Sequence, residues 1–190
     1  ARAGVKDMVR ISDARMSGCE MPVVICSGSG NQGITASVPV AVYAERTGRT
    51  REEMLRALIV SNLLTVHQKA GIGRLSAYCG AVSAGCSAGA AIAWLDGGGY
   101  EAVAHTLVNA LAIVSGIVCD GAKPSCAAKV ATAVDAGMFG YEMYKRGKEF
   151  IGGEGIVTKG VENTIANVGR LGRDGMRETD KEILRIMTGQ

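Results

Sequence analysis

Four of the six cysteines form two matching pairs, Cys79 with Cys86 and Cys119 with Cys126, with six residues inside each pair and equivalent members forty positions apart. Their neighbours repeat as well. Tyr78-Cys79-Gly80-Ala81 and Cys86-Ser87-Ala88 run on to Asp96-Gly97, as Val118-Cys119-Asp120-Gly121 and Cys126-Ala127-Ala128 run on to Asp135-Ala136-Gly137. Each unit reads as a Gly/Cys loop feeding a helix of small residues. Clustered thiols in a reducing compartment serve more often as ligands or catalysts than as disulfides. Structural zinc is disfavoured, because its paired ligands normally stand about two to four residues apart. An iron–sulfur cluster tolerates wider spacing, and glycine beside Cys79 and after Asp120 lets backbone approach inorganic sulfur. Three thiolates around a four-iron cluster leave one iron open, a Lewis acid able to bind a hydroxyl or thiol and make it a better leaving group. The competing reading keeps the same cysteines as small buried core residues.

A second constellation follows the apolar run Met21 to Cys26. In Ser27-Gly28-Ser29-Gly30-Asn31-Gln32-Gly33, successive glycines ahead of a helix expose backbone N–H groups toward one point. With the side chains of Ser27, Ser29 and Asn31 they suit a carboxylate. Cys26 opens this loop, where its thiol either packs beneath it or shuttles a proton. Lys123, between two of the repeated cysteines, is a candidate partner for a substrate carboxylate. His67 and His105 sit on helices without ligand spacing and read as structural. Cys86 reads as a core thiol within the small-residue helix, and Cys19 has no motif around it.

These groups need a scaffold, and the pattern supplies helices. In 190 residues, 47% hydrophobic, one globular domain with a core is expected. Glycine, 27 residues, is about twice as frequent as the usual ~7%, so packing relies on close backbone approach. The net charge of +3 is spread along the chain without a basic stripe or aromatic platform, which argues against nucleic acid. Ser76 to Leu95 carries no charge over a bilayer-length stretch, but its Ala, Gly, Ser and Cys residues gain little in lipid, so a buried helix is expected instead of a membrane span. The spacing predicts helices at about 35–47, with Pro39 in the first turn, and at about 51–70, behind a Thr50/Glu53 capping box. Leu55, Leu58, Ile59, Asn62, Leu63 and Val66 follow that box at helical spacing. Further helices are expected at about 82–95, 100–116, from Pro124 to Ala136 with Gly137 as the stop, at 140–148, 161–171, and after a second capping box at Thr179/Glu182. Only Pro22 to Ile25 looks extended. The fold class is therefore all-α, a helical bundle with Gly-rich loops at helix ends carrying the site.

The strings Cys26-Ser27-Gly28-Ser29-Gly30-Asn31-Gln32-Gly33, Cys79-Gly80-Ala81-Val82-Ser83-Ala84-Gly85-Cys86 and Cys119-Asp120-Gly121-Ala122-Lys123-Pro124-Ser125-Cys126-Ala127 together resemble the L-cysteine desulfidase family, also described as serine dehydratase alpha-chain-like. The match covers nearly the whole chain. The resemblance implies an oxygen-sensitive 4Fe-4S cluster held by three cysteines, whose positions fall on Cys79, Cys119 and Cys126. It also implies pyridoxal-phosphate-independent β-elimination from a small amino acid, L-cysteine giving pyruvate, ammonia and sulfide. A serine dehydratase with the same cluster, and a non-enzymatic homologue in which only the fold survives, are the rival readings. Family members are longer, and the chain opens without Met or an apolar leader, so the expectation is a cytoplasmic fragment lacking an N-terminal part. That part would be a partner and could supply the catalytic base; a homodimer is left open.

Overall fold

The computed structural model describes residues 2–190 and contains, among them, eight α-helices: α1 (Arg2–Met16), α2 (Gly30–Arg46), α3 (Arg51–Ile72), α4 (Gly80–Leu95), α5 (Tyr100–Val114), α6 (Ser125–Lys145), α7 (Val161–Arg170) and α8 (Arg177–Thr188). The extended pairings among the described residues are two isolated bridges, Cys26 with Ser29 and Tyr78 with Val118. The all-α class expected from the hydropathy pattern is the class observed.

Helix α4 is the axle of the bundle. Uncharged and buried along almost its whole length, it packs against α2, α3, α5 and α6. Its small residues set how closely they come. A Cβ on Gly85 would lie 2.5 Å from the Ala133 carbonyl carbon, and one on Gly89 would lie 2.4 Å from that of Gly137, so α4 and α6 touch backbone to backbone. The two halves of the cysteine repeat thus face each other across this contact. No helix of the described residues is long and apolar enough to cross a membrane.

Helix α3 begins where the sequence placed it. The Glu53 N–H donates to Thr50 Oγ1 at 3.2 Å while the Thr50 N–H donates to Glu53 Oε2 at 2.7 Å, satisfying two N-terminal donors reciprocally. Its inward face is the surprise. Ala57, Ser61, Thr65, Gln68, Lys69 and Ile72 are buried, while Leu55, Ile59, Leu63 and Val66 are exposed. Small and hydrogen-bonded side chains fit the crowded interior beside α4: Ser61 Oγ donates to Ala36 O at 2.6 Å, and Gln68 Nε2 donates to Ser87 Oγ at 2.7 Å.

Other boundaries differ from expectation for identifiable reasons. Helix α1 was not anticipated, and α2 starts at Gly30, so half of the expected loop is its first turn and Pro39 lies in its middle. Gly137 does not end α6. A Cβ there would meet Gly85 O at 2.4 Å, and one on Gly140 would meet Thr106 O at 2.8 Å. Both glycines therefore mark close helix contacts, and the separate helix expected at 140–148 merges into α6. Thr179 lies inside α8, which follows a π-helical turn, Leu171–Gly175, with Met176 as its N-cap.

Candidate functional site

The bridge between Tyr78 and Val118 is the clamp that sets two of the cysteines. The Cys79 N–H donates to Ile117 O at 3.1 Å and the Cys119 N–H to Ala77 O at 2.6 Å. Because side chains alternate across a paired strand, Cys79 and Cys119 fall on one face of this short ribbon, with Tyr78 and Val118 on the other. Tyr78 enters the core, its hydroxyl 3.1 Å from Ser115 Oγ. Cys79 is also the N-cap of α4. Cys126 stands in the first turn of α6, where its Sγ accepts from the Lys123 N–H at 3.5 Å and donates to Gly121 O at 3.4 Å.

Lys129, one turn further on, ties these parts together. Its ammonium donates to Val118 O at 2.9 Å and pairs with Asp120, which also pairs with Lys123. Hydrogen bonds from Lys123 and then Lys129 hold the Asp120 carboxyl down at about 2. Burial works against the Lys129 charge, but Asp120 outweighs it and the ammonium is strengthened, with Cys79 and Cys126 adding to the effect. Lys69 approaches from α3. It is 5% exposed and forms no ion pair with a carboxylate among the described residues. Burial weakens its ammonium, and Cys119 and Cys79 partly offset that. Burial likewise pushes the Cys79 thiol up, while the first-turn N–H groups of Ala81 and Val82 pull it down.

The Ser-Gly loop lies against the same end of the bundle. It closes tightly through reciprocal bonds between Cys26 and Ser29, each N–H donating to the other's carbonyl at 3.1 Å. Ser27 adopts φ 47°, a left-handed backbone that non-glycine residues seldom hold, and Gly28 follows at φ 89°. Ser29 caps α2, its Oγ accepting from the Gln32 N–H at 3.4 Å. The N–H groups of Gly30 and Asn31 precede the first intrahelical bonds and, with the helix dipole, form a candidate anion seat. A Cβ on Gly33 would sit 1.9 Å from Val24 O, which is why the apolar run can pack directly on the helix start. A Cβ on Gly80 would sit 2.5 Å from Gln32 Cδ, so the loop and the residue after Cys79 are in contact.

Of the residues expected from sequence, Cys79 and Cys119 stand near Lys69, and Cys79 and Cys126 near Lys129, while in the string Ser27, Gly28, Ser29, Gly30, Asn31 and Gln32 it is Gln32 that touches Gly80. The Lys123 ammonium is engaged by Asp120. Cys26 is buried beneath the loop, and burial raises its thiol despite the nearby Ser27 side chain. Cys86 is wholly buried in the core and is pushed up to about 12 by burial. His67 pairs with Glu162 at 2.7 Å, and His105 with Glu149 and Glu101. Two cations were missed, Lys69 and Arg15. Arg15 Nη1 donates to Asn31 Oδ1 at 3.0 Å, and its guanidinium is stacked over Gly30, beside the anion seat. Nothing in the local pattern of α1 marks it, whereas Lys69 follows Gln68 on the polar side of an otherwise amphipathic helix.

The donor set fits an iron–sulfur cluster chemically. All six cysteines are free, Cys79 and Cys119 share one face of the bridge, and Lys69 and Lys129 stand near enough to Cys79, Cys119 and Cys126 to offset the charge of metal-bound thiolates. Among the described residues no three His, Cys, Asp or Glu side chains lie close enough to share one metal ion. A cubane takes each thiolate on a different iron, so its ligands stand farther apart than those of a single ion.

The model of the serine dehydratase alpha chain family matches residues 6–185. The chain is 68% identical over 179 residues to a UPF0597 protein of Desulfitobacterium hafniense, covering 94% of this chain and 42% of that protein. It is 54% identical over 181 residues to a UPF0597 protein of Treponema denticola, covering 95% and 42%, and 55% identical over 176 residues to one of Lachnoclostridium phytofermentans, covering 93% and 42%. No solved structure matches. The chain thus spans about two fifths of the length of these curated relatives.

Proposed function

This chain belongs to the serine dehydratase alpha chain family, and from that premise we propose that it is the cluster-bearing part of a lyase that eliminates the β-substituent of a small α-amino acid, with L-cysteine as the substrate. The observation that supports the reading is the contact of Gln32, in the first turn of α2, with Gly80, the residue following Cys79.

In this reading Cys79, Cys119 and Cys126 hold a 4Fe-4S cluster. When bound, such a cluster supplies a Lewis acid that takes up the charge developing on a departing thiol or hydroxyl. The rest falls to the chain. The N–H groups of Gly30 and Asn31, the Ser27 and Ser29 hydroxyls and the Arg15 guanidinium hold the substrate carboxylate, fixing the α-carbon near Cys79. Their positive field also stabilises the α-carbanion character that builds up as the α-proton leaves. Lys69 and Lys129 offset the negative charge that the three thiolates and the cluster bring when it is bound. The group that takes the α-proton belongs, in this account, to the part of the relatives' length that the chain does not span. Loss of the proton and of the β-group leaves an enamine, which tautomerises and hydrolyses to the keto acid and ammonia.

The test has two parts. The chain is reconstituted anaerobically with ferrous iron and sulfide, and visible charge-transfer absorption is expected. The longer Desulfitobacterium relative is then assayed for pyruvate and sulfide on L-cysteine and for pyruvate on L-serine. A higher kcat/KM on L-cysteine supports the reading, a higher value on L-serine replaces it with a dehydratase, and inactivity on both overturns it in favour of a non-catalytic homologue.

A further inference from the structure

Gln32 is 4% exposed, yet its carboxamide makes no hydrogen bond among the described residues, and Oε1 is sealed from solvent with nothing to accept. A buried acceptor without a donor is costly and rare in folded proteins. Gln68, the other buried glutamine, also leaves its Oε1 without a donor, but it spends its NH2 group on Leu64 O, Ser83 O and Ser87 Oγ at 3.2, 3.3 and 2.7 Å. What sets Gln32 apart is that neither end of its amide has a partner among the described residues and that it rests against Gly80, the residue after Cys79.

Position explains the direction. Gln32 lies in the first turn of α2, and helical side chains lean back toward the N-terminus, the end at which the candidate anion seat lies. There it rests over Gly80, where a Cβ would come within 2.5 Å of both Cδ and Nε2. The seat itself offers donors: backbone N–H groups, hydroxyls and Arg15. What it needs to hold a zwitterion is an acceptor one carbon away from the carboxylate.

Building on the function proposed above, we propose that Gln32 is a specificity-determining residue whose Oε1 accepts a hydrogen bond from the substrate's α-ammonium group, so that the site selects α-amino acids over the corresponding acids lacking the amino group. Gly80 is part of the same device, because any side chain there displaces the amide.

The experiment measures dissociation constants by calorimetry on the anaerobically reconstituted chain, using L-cysteine and 3-mercaptopropionate, which differ only in the amino group. The wild type is expected to prefer L-cysteine. Gln32→Leu should weaken L-cysteine roughly 10- to 100-fold, the loss expected for a hydrogen bond to a charged group, and leave 3-mercaptopropionate within about 3-fold. Gln32→Glu, which keeps an acceptor, should retain the preference. Gln32→Met reads the same ratio if the leucine variant does not fold. Equal weakening of both ligands, or no change in their ratio, overturns the role of Gln32 alone. Failure of the wild type to bind either ligand overturns the amino-acid reading and this inference with it.

Discussion

Replacing Gly89 by alanine tests the contact on which the relative placement of the cysteines depends. The added methyl would sit 2.4 Å from the Gly137 carbonyl carbon, 2.5 Å from its oxygen and 2.6 Å from its Cα. Ordinary contact between such atoms is about 3.5–4.0 Å, so α4 and α6 must part by about 1 Å. The obstacle is backbone, which cannot swing aside as a side chain would. Overpacking of this kind costs up to about 3 kcal/mol, and the better helix propensity of alanine returns about 1 kcal/mol. A net loss of about 2 kcal/mol lowers Tm by roughly 4–8 °C in a domain of this size. The assay is thermal unfolding by far-UV circular dichroism of the metal-free chain. Gly99→Ala is the control, because a Cβ at Gly99 meets nothing within 4 Å. The same separation moves Cys79, at the start of α4, away from Cys126, at the start of α6, so iron retention should fall with Tm. A variant that melts at or above the wild-type temperature would refute the backbone contact.

Gly33→Ala should be harsher, a loss of about 3 kcal/mol or more in urea unfolding, because its methyl would lie 1.9 Å from Val24 O; a loss below that of Gly89→Ala would contradict the packing of the 23–26 segment on α2. Cys86→Ser should cost about 1–3 kcal/mol by burying a hydroxyl without a partner, while bound iron stays at the wild-type level; lost iron would move Cys86 from the core to the ligand set. Asp120 is held at about 2, below its ordinary 3.8, so the stability it confers is fully present above the ordinary value and fades as the pH falls through about 2. Asp120→Asn should therefore lower Tm at pH 6, with the two proteins converging near pH 2, and equal Tm values at pH 6 would show that Lys123 and Lys129 gain nothing from the carboxylate.

The sequence was informative where chemistry and local structure coincide. The Thr50/Glu53 box announces α3 because both partners are three residues apart, and the repeated cysteines announce helices that begin with them. It misled where glycine had two meanings: Gly137 reads as a stop, but it is the point at which two backbones meet, a fact set by α4, some fifty residues away. The burial of α3 was inverted for a related reason. Its apolar stripe obeys the helical period, yet the interior beside α4 takes small and hydrogen-bonded side chains at several of its positions, so Ser61 and Gln68 turn inward. Arg15 and Lys69 carried no motif, since an isolated cation on a helix becomes a site residue only when distant segments fold against it. The contact of Gln32 with Gly80 was equally hidden, because it joins two motifs that lie far apart in the chain.

The central claim is that Cys79, Cys119 and Cys126 together bind a cluster beside the carboxylate seat. Anaerobic reconstitution of the wild type, Cys79→Ala, Cys119→Ala, Cys126→Ala and Cys86→Ala, with iron and inorganic sulfide quantified per folded chain, puts it to the most direct trial. The account predicts about four irons and four sulfides for the wild type and for Cys86→Ala, and a loss of both in each of the other three while helicity is retained. Wild-type loading in any of those three variants, or equal loss in Cys86→Ala, would contradict it.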